Sequence, residues 1–191
     1  MGSAGPEIGT VGTQGRIAAA DDIHRIGELF SAAVEELSTQ RGGTALLGDL
    51  SDRTGINLLV PAGRWKVLTE GLSRSVPSFW VGSDSAGRVA GFAWARVAHH
   101  GEFSPLLGVI DLSFVEPGAR RYGTAETILA TVQAWFIDQG CTAMDAYALP
   151  GERDSKATLE TAGFKARLLV MSRDIGEEAR VPAPADPVVA R

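Results

Sequence analysis

The sequence is poor in cysteine, histidine and lysine. It has one cysteine, Cys141, so no internal disulfide can form, and with only three histidines it offers no cluster of metal ligands. We therefore expect a protein that needs no metal. Three lysines stand against 15 arginines, and alanine and glycine are abundant, a bias that is typical of GC-rich bacterial genomes.

Long apolar runs and basic stretches are missing as well. No run approaches the ~18 apolar residues that cross a bilayer, which predicts no membrane segment. The glycine-rich start, residues 1–15, has neither the basic nor the apolar region of a secretory signal, so the expected location is the cytoplasm. A net charge of −5 without a basic stripe argues against nucleic-acid binding.

Length and composition predict one folded domain between two irregular ends. The 191 residues are 45 % hydrophobic and 21 % charged, an ordinary balance for a globular core. Glycines among small residues make 1–15 an expected disordered segment, and prolines predict an extended tail over 176–191. The folded domain is expected over 16–175.

Apolar periodicity predicts alternating strands and helices in that domain. Strands are expected at 16–19, 78–81, 89–97, 108–115, 142–149 and 164–173. Helices are expected after Asp21 or Asp22, over 63–75, from the loop near 120 to 139, and over 154–162. Residues 38–62 give no readable pattern. The order β-α-α-β-β-β-α-β-α-β predicts an α/β (α+β) fold, a mixed sheet flanked by helices.

The richest stretch is 115–125, where an apolar strand leads through a glycine-bearing loop into an amphipathic helix. Free N–H groups at a helix start, together with the helix dipole, bind anions. Arg120 and Arg121 add two cations there, and Gly123 and Ala125 leave the backbone open to a phosphate. A solvated turn would carry the same residues, and the loop lacks the spacings typical of ATP and dinucleotide sites.

The order Arg-x-x-Gly-x-Ala over 120–125 resembles the acetyl-CoA pyrophosphate loop of GNAT superfamily N-acetyltransferases. Residues 16–23, 89–93 and 159–164 are similar to the family's first strand and helix, central strand and closing Gly-Phe turn, and the element order matches its fold. The resemblance implies acetyl-CoA as co-substrate and direct acetyl transfer to an amine of a small molecule or protein. A homodimer is compatible with it.

The resemblance also implies residue roles in cofactor binding. The pyrophosphate would lie on the loop, and a backbone N–H near the end of the preceding strand would bind the acyl carbonyl oxygen. The cofactor-binding residues implied in this way are Phe114, Val115, Arg120, Arg121, Tyr122, Gly123, Thr124 and Ala125.

The expected catalytic residues are Asp111 and Tyr147. Asp111 lies in the strand before the loop, where alternation places it on the face of Val109, Ser113 and Val115, and it is either the general base or the partner of an arginine. The tyrosine that commonly serves the family as acid is replaced here by Leu159. Tyr147 is then the acid or a packing residue.

Other interpretations stay open at this point. His99 or His100 could act as base through a water molecule, or form a polar loop. Residues 38–62 would contribute to acceptor specificity, since that part of the fold varies in the family, and the segment that begins at Arg41 could be an acceptor-side loop or a plain turn. The missing tyrosine also leaves a second function open, a catalytically weak or inactive GNAT-fold module that binds or senses acetyl-CoA and acts through a partner.

Overall fold

The computed structural model describes residues 13–99 and 106–171. Five strands form one sheet in the order β1-β2-β3-β4-β5. The first four are antiparallel, and β5 runs parallel to β4. The strands are β1 Gly15–Ile17, β2 Phe79–Ser83, β3 Val89–Ala98, β4 Leu107–Val115 and β5 Ala143–Ala146.

Helices cover both faces of the sheet. Three of them, α1 Ile23–Ser38, α2 Gly43–Thr54 and α3 Pro61–Ser73, pack on one face over a core that includes Phe30, Leu68 and Phe92. On the other face α4, Thr124–Asp138, packs over Trp80 and Ile110. A short α5, Arg153–Thr161, follows β5 and buries none of its residues. No helix in the described part of the chain is long and apolar enough to cross a membrane.

A salt bridge ties the first strand to the first helix. Asp22, at the start of α1, accepts hydrogen bonds from Arg16 at 2.6 and 2.8 Å and from the Ala19 N–H at 2.8 Å. The hydrogen bonds from the guanidinium lower the pKa of the Asp22 carboxyl, and burial opposes them only in part. The bridge closes the turn that sends α1 back across the sheet.

Helix α4 packs closely on the sheet where the strands beneath it carry glycine. A Cβ on Gly82 would lie 2.6 Å from Cγ1 of Ile128, and one on Gly15 would lie 2.6 Å from the Thr127 carbonyl oxygen. The other glycines that meet α4 in this way are Gly91 and Gly108. Close packing fixes the start of α4 relative to the end of β4.

Strand β4 contains a bulge at Asp111. Trp94 of β3 pairs with Leu112 and Ala95 pairs with Ile110, so Asp111 has no partner on β3. Pairing between β4 and β5 stops at the same level, with Ile110 and Ala146 as the last pair. Beyond this pair β4 has no strand partner on its β5 side within the described residues, and in this sense β4 and β5 separate there.

The predicted fold class is confirmed, with differences in the elements. The unreadable stretch 38–62 forms α2 and the start of α3. The predicted strand over 164–173 is wrong for the described residues 164–171, which pair with no strand, and β5 is shorter than predicted. The apolar residues 168–171 of the expected last strand are exposed instead. Residues 1–12, the tail over 176–191 and His100 lie outside the described residues.

Candidate active site

The loop between β4 and α4 presents a row of free backbone N–H groups. Gly123 has φ +84° and ends the loop, and the first helical hydrogen bond runs from the Thr127 N–H to the Gly123 carbonyl oxygen at 3.0 Å. The N–H groups of residues 121–126 have no acceptor within 13–99 and 106–171. They form the anion-binding geometry that the sequence predicts.

The two loop arginines point in different directions. Arg120 turns inward: it donates to Glu36 of α1 at 2.7 and 2.9 Å and to the Val115 carbonyl oxygen at 2.9 Å, and it lies over the Phe114 ring. Arg121 points outward with 85 % of its side chain exposed. The expectation that both cations face an anion is therefore corrected, because Glu36 already neutralises Arg120.

The remaining loop residues differ in burial. Tyr122 is exposed, as the sequence suggests for a residue beside a phosphate, and Ala125 is half-buried. Thr124 is buried at the first position of α4, and its Oγ1 has no hydrogen-bond partner in the described part of the chain. The open surface of the loop is thus backbone, with Arg121 and Tyr122 beside it.

Strand β4 turns two free N–H groups towards the gap that separates it from β5. The Glu116 N–H donates to Ala90 on β3. Because N–H directions alternate along a strand, Phe114 also points to β3, whereas Ser113 and Val115 point to the open side. Of the two residues expected to bind the acyl oxygen, Val115 has the right direction, and Phe114 packs in the core.

Asp111 lies between two arginines and is 2 % exposed. Arg53, near the end of α2, donates to Oδ1, and Nε of Arg96 on β3 donates to Oδ2 at 2.7 Å. This is the arginine-paired alternative, and both carboxylate oxygens already accept hydrogen bonds from guanidinium groups. The predicted face is wrong with respect to Val115: the bulge turns Asp111 towards α2, whereas Val115 packs on the α4 side.

Arg53 brings the two expected catalytic residues together. Its Nη2 donates to the Tyr147 hydroxyl at 3.4 Å, and its guanidinium lies 5.7 Å from the centre of the Tyr147 ring. Tyr147 directly follows β5, at the point where β4 and β5 separate, and is half-exposed. Leu159 on α5 packs against the core on the α4 side.

The sequence does not mark Arg53, Arg96 or the Ser113 N–H as parts of the site. Arg53 lies in the stretch without a readable pattern, and only the bulge makes Arg96 a neighbour of Asp111. His99 is exposed and contacts neither Asp111 nor Tyr147. Across 13–99 and 106–171 no three His, Cys, Asp or Glu side chains could hold a metal ion. Burial raises the pKa of the Cys141 thiol, which packs against the α4-side core.

Comparison with known proteins agrees with this geometry. The family model described as the acetyltransferase (GNAT) family matches residues 57–164, more than half of the chain. The chain belongs to the GNAT family. The matched region contains β2 to α5 and therefore the bulge, the phosphate loop and Tyr147.

Individual GNAT relatives are distant. An aminoglycoside N(6')-acetyltransferase type 1 of Stenotrophomonas maltophilia is 27 % identical over 101 residues, which are 51 % of this chain and 66 % of that protein, just under two thirds of its length. A solved aminoglycoside N-acetyltransferase in complex with CoA is 17 % identical with a TM-score of 0.63, over 85 % of this chain and 94 % of that one.

A solved transcriptional regulator from Bacillus halodurans is similar to a comparable degree. It is 13 % identical with a TM-score of 0.61, over 85 % of this chain and 99 % of that one. At these identities the solved structures establish the fold: a GNAT sheet with helices on both faces.

Proposed function

We propose that this GNAT chain transfers the acetyl group of acetyl-CoA to an amine of a small molecule. The observation that supports this best is the alignment of two features on one open edge. The free N–H groups of residues 121–126 lie at the end of β4, and the free N–H groups of Ser113 and Val115 lie along it. A long ligand with a phosphate at one end and a carbonyl at the other matches that arrangement.

The residues present suit acetyl-CoA. The loop N–H groups would hold the pyrophosphate, and Arg121 adds an exposed cation beside them, whose ion pair with Asp154 is long, at 4.0 Å, and exposed to solvent. When bound, acetyl-CoA supplies an activated acyl thioester. The Val115 or Ser113 N–H is directed to where negative charge develops on the acyl oxygen, and such a donor stabilises that charge without reorganisation.

In this proposal, Tyr147 and water carry out the proton transfers. The Tyr147 hydroxyl lies at the separation of β4 and β5 and would donate a proton to the departing thiolate. The carboxylate of Asp111 is bound by Arg53 and Arg96, so we assign the proton of the attacking amine to water. Asp111 then acts as a positioning residue that holds both arginines.

Calorimetry followed by a turnover assay tests this function. The full chain is titrated with acetyl-CoA, with ATP and NAD as controls, and CoA release is then followed over a panel of amines. We expect selective binding of acetyl-CoA and amine-dependent release of CoA. Selective binding without turnover of any amine would favour the sensor module, and equal binding of ATP would refute the assignment of the loop.

The setting of the enzyme is part of the same proposal. A bacterial origin is supported by the arginine bias and by the bacterial source of the aminoglycoside relative. The cytoplasm agrees with a sequence that carries a single cysteine. A homodimer stays a prediction, which sedimentation of the full chain would test.

A further inference from the structure

Three charged side chains, Arg53, Arg96 and Asp111, form an arginine cluster on the α2 side of the sheet. Two guanidiniums share one carboxylate, so the cluster has one unbalanced positive charge. Neither arginine contacts a second carboxylate within the described ranges. In a protein with a net charge of −5, this is a local reversal of sign.

The cluster also has unused hydrogen-bond donors. Nε of Arg53 and Nη1 of Arg96 have no acceptor among residues 13–99 and 106–171. The two arginine side chains are 33 % and 39 % exposed, whereas that of Asp111 is 3 % exposed. The carboxylate is the buried anchor, and the guanidiniums reach solvent. One arginine would suffice to neutralise Asp111, so the second leaves the cluster able to bind another anion.

The position of the cluster relates it to the proposed reaction. Asp111 precedes Ser113 by two residues on β4, which is about 7 Å along the strand. Tyr147, under Arg53, lies where β4 and β5 separate. The acyl group of the thioester would lie at the Ser113 and Val115 N–H groups. An amine that attacks it there would therefore lie within a few bond lengths of the two guanidinium groups.

We infer that the arginine cluster binds an anionic group, a carboxylate or a phosphate, carried by the acceptor amine. The inference rests on the proposed acetyl transfer and names its substrate class. Guanidinium groups bind carboxylates and phosphates through paired N–H donors, and a fixed pair of them also orients the ligand. An acceptor with several amino groups and no acid, such as an aminoglycoside, would instead be repelled by the unbalanced charge.

Matched acceptors test the inference. CoA release is measured with L-amino acids and with phosphoethanolamine, each beside its neutral counterpart, the amino acid amide or ethanolamine, and with the aminoglycoside kanamycin. We expect at least one acidic amine to have a kcat/KM tenfold or more above that of its counterpart and of kanamycin. The carboxylate and phosphate arms show which anion is preferred. Equal or better turnover of the neutral or polycationic amines would overturn the inference.

Variants connect that preference to the cluster. In Arg96→Gln, Arg53 still pairs with Asp111, so the fold should persist, which thermal unfolding checks. We expect the preference to fall about tenfold, through KM rather than kcat. The control Lys165→Gln removes one positive charge from an exposed residue outside the cluster and should leave the preference unchanged. Equal effects of both variants would overturn the assignment.

Binding measurements separate this inference from the proposed function. CoA-loaded protein is titrated with the same acidic amines by calorimetry. Binding that Arg96→Gln weakens tenfold supports the cluster even if no acetyl transfer occurs, and failure of every acidic amine to bind overturns it. Turnover of neutral amines with intact acetyl-CoA binding would overturn the inference alone and leave acetyl transfer standing.

Discussion

The guanidinium of Arg53 lies over the ring of Tyr147, 5.7 Å from its centre, and donates to its hydroxyl at 3.4 Å. Tyr147→Phe keeps the ring under Arg53 and removes only the proton donor. We expect kcat to fall about tenfold, less than is usual for lost acid catalysis because a thiolate leaves readily. Acetyl-CoA affinity and thermal stability should be unchanged.

The chain provides a matched control for that variant in its other tyrosine. Tyr122 is exposed in the phosphate loop, away from Arg53. Steady-state kinetics of Tyr122→Phe should give the wild-type kcat. A wild-type kcat in Tyr147→Phe as well would return Tyr147 to a packing role.

Asp111→Asn distinguishes a base from a positioning residue. Removal of the charge leaves two guanidiniums facing each other, and we expect a loss of roughly 2–3 kcal/mol in the free energy of unfolding. If Asp111 positions the arginines, KM for the acceptor rises while the kcat pH profile keeps its shape. Loss of the acidic limb of that profile, with KM intact, would instead identify Asp111 as the base.

Gly123→Ala tests the phosphate loop through its backbone. Gly123 has φ +84°, where alanine costs roughly 1–2 kcal/mol. Gly87→Ala, at φ +80° in the β2–β3 turn, introduces the same strain away from the loop. We expect similar losses of stability in both and a fall in acetyl-CoA affinity, measured by calorimetry, in Gly123→Ala alone. Equal affinities would contradict a role for the loop geometry.

Substitutions of the two loop arginines should change different properties, acetyl-CoA affinity for Arg121 and stability for Arg120. Arg121→Gln removes an exposed cation, so acetyl-CoA affinity should fall several-fold at low salt and differ less from wild type in 0.5 M salt. Arg120→Gln breaks the contacts with Glu36 and Val115, so it should lower the unfolding free energy by about 1 kcal/mol. If Arg120→Gln weakened binding more than Arg121→Gln, the inward orientation of Arg120 would be in question.

Asp22 predicts a pH-dependent stability. Its pKa is lowered in the folded state, so the ion pair with Arg16 stabilises the fold above the ordinary pKa of aspartate and ceases to do so as the pH falls through the folded value. Asp22→Asn should therefore cost about 1–3 kcal/mol at pH 7 and nothing once the pH is below the folded pKa. Urea unfolding over a pH series from pH 7 down through the lowered folded pKa checks this, and a difference that stays constant to the lowest pH of the series would contradict it.

Local signals made most of the fold predictable from the sequence. The β4 strand, the glycine loop and the apolar face of α4 follow one another within 32 residues, and each has its own periodicity or turn residue. Residues 38–62 could not be interpreted from the sequence because the short helix α2 is separated from α1 by a turn at Gly42 and from α3 by a turn that begins at Gly55. The prediction of a strand over 164–173 was wrong for the described residues 164–171, because an apolar segment forms a strand only where another strand is available to pair with it.

The candidate site was predictable only where its residues are neighbours in sequence. The loop from Arg120 to Ala125 is one continuous segment, whereas the arginine cluster joins α2, β3 and β4. The bulge at Asp111 changes the face that its side chain occupies relative to Val115. A prediction that assumes strict alternation of side chains along the strand does not allow for the extra residue of a bulge. The inward turn of Arg120 depends on Glu36, 84 residues away.

The glycines beneath α4 have a consequence for laboratory evolution of this chain. A Cβ at Gly15, Gly82 or Gly108 would collide with α4, and one at Gly91 would collide with β4 and approach Ile128 of α4, so substitutions there should disturb the packing of the helix whose start carries the free N–H groups. A saturation library should therefore show strong depletion along this line of glycines under one helix, a line to which the arginine cluster does not belong. New acceptor preferences are more accessible through the partly exposed arginines of the cluster, whose replacement leaves that line untouched.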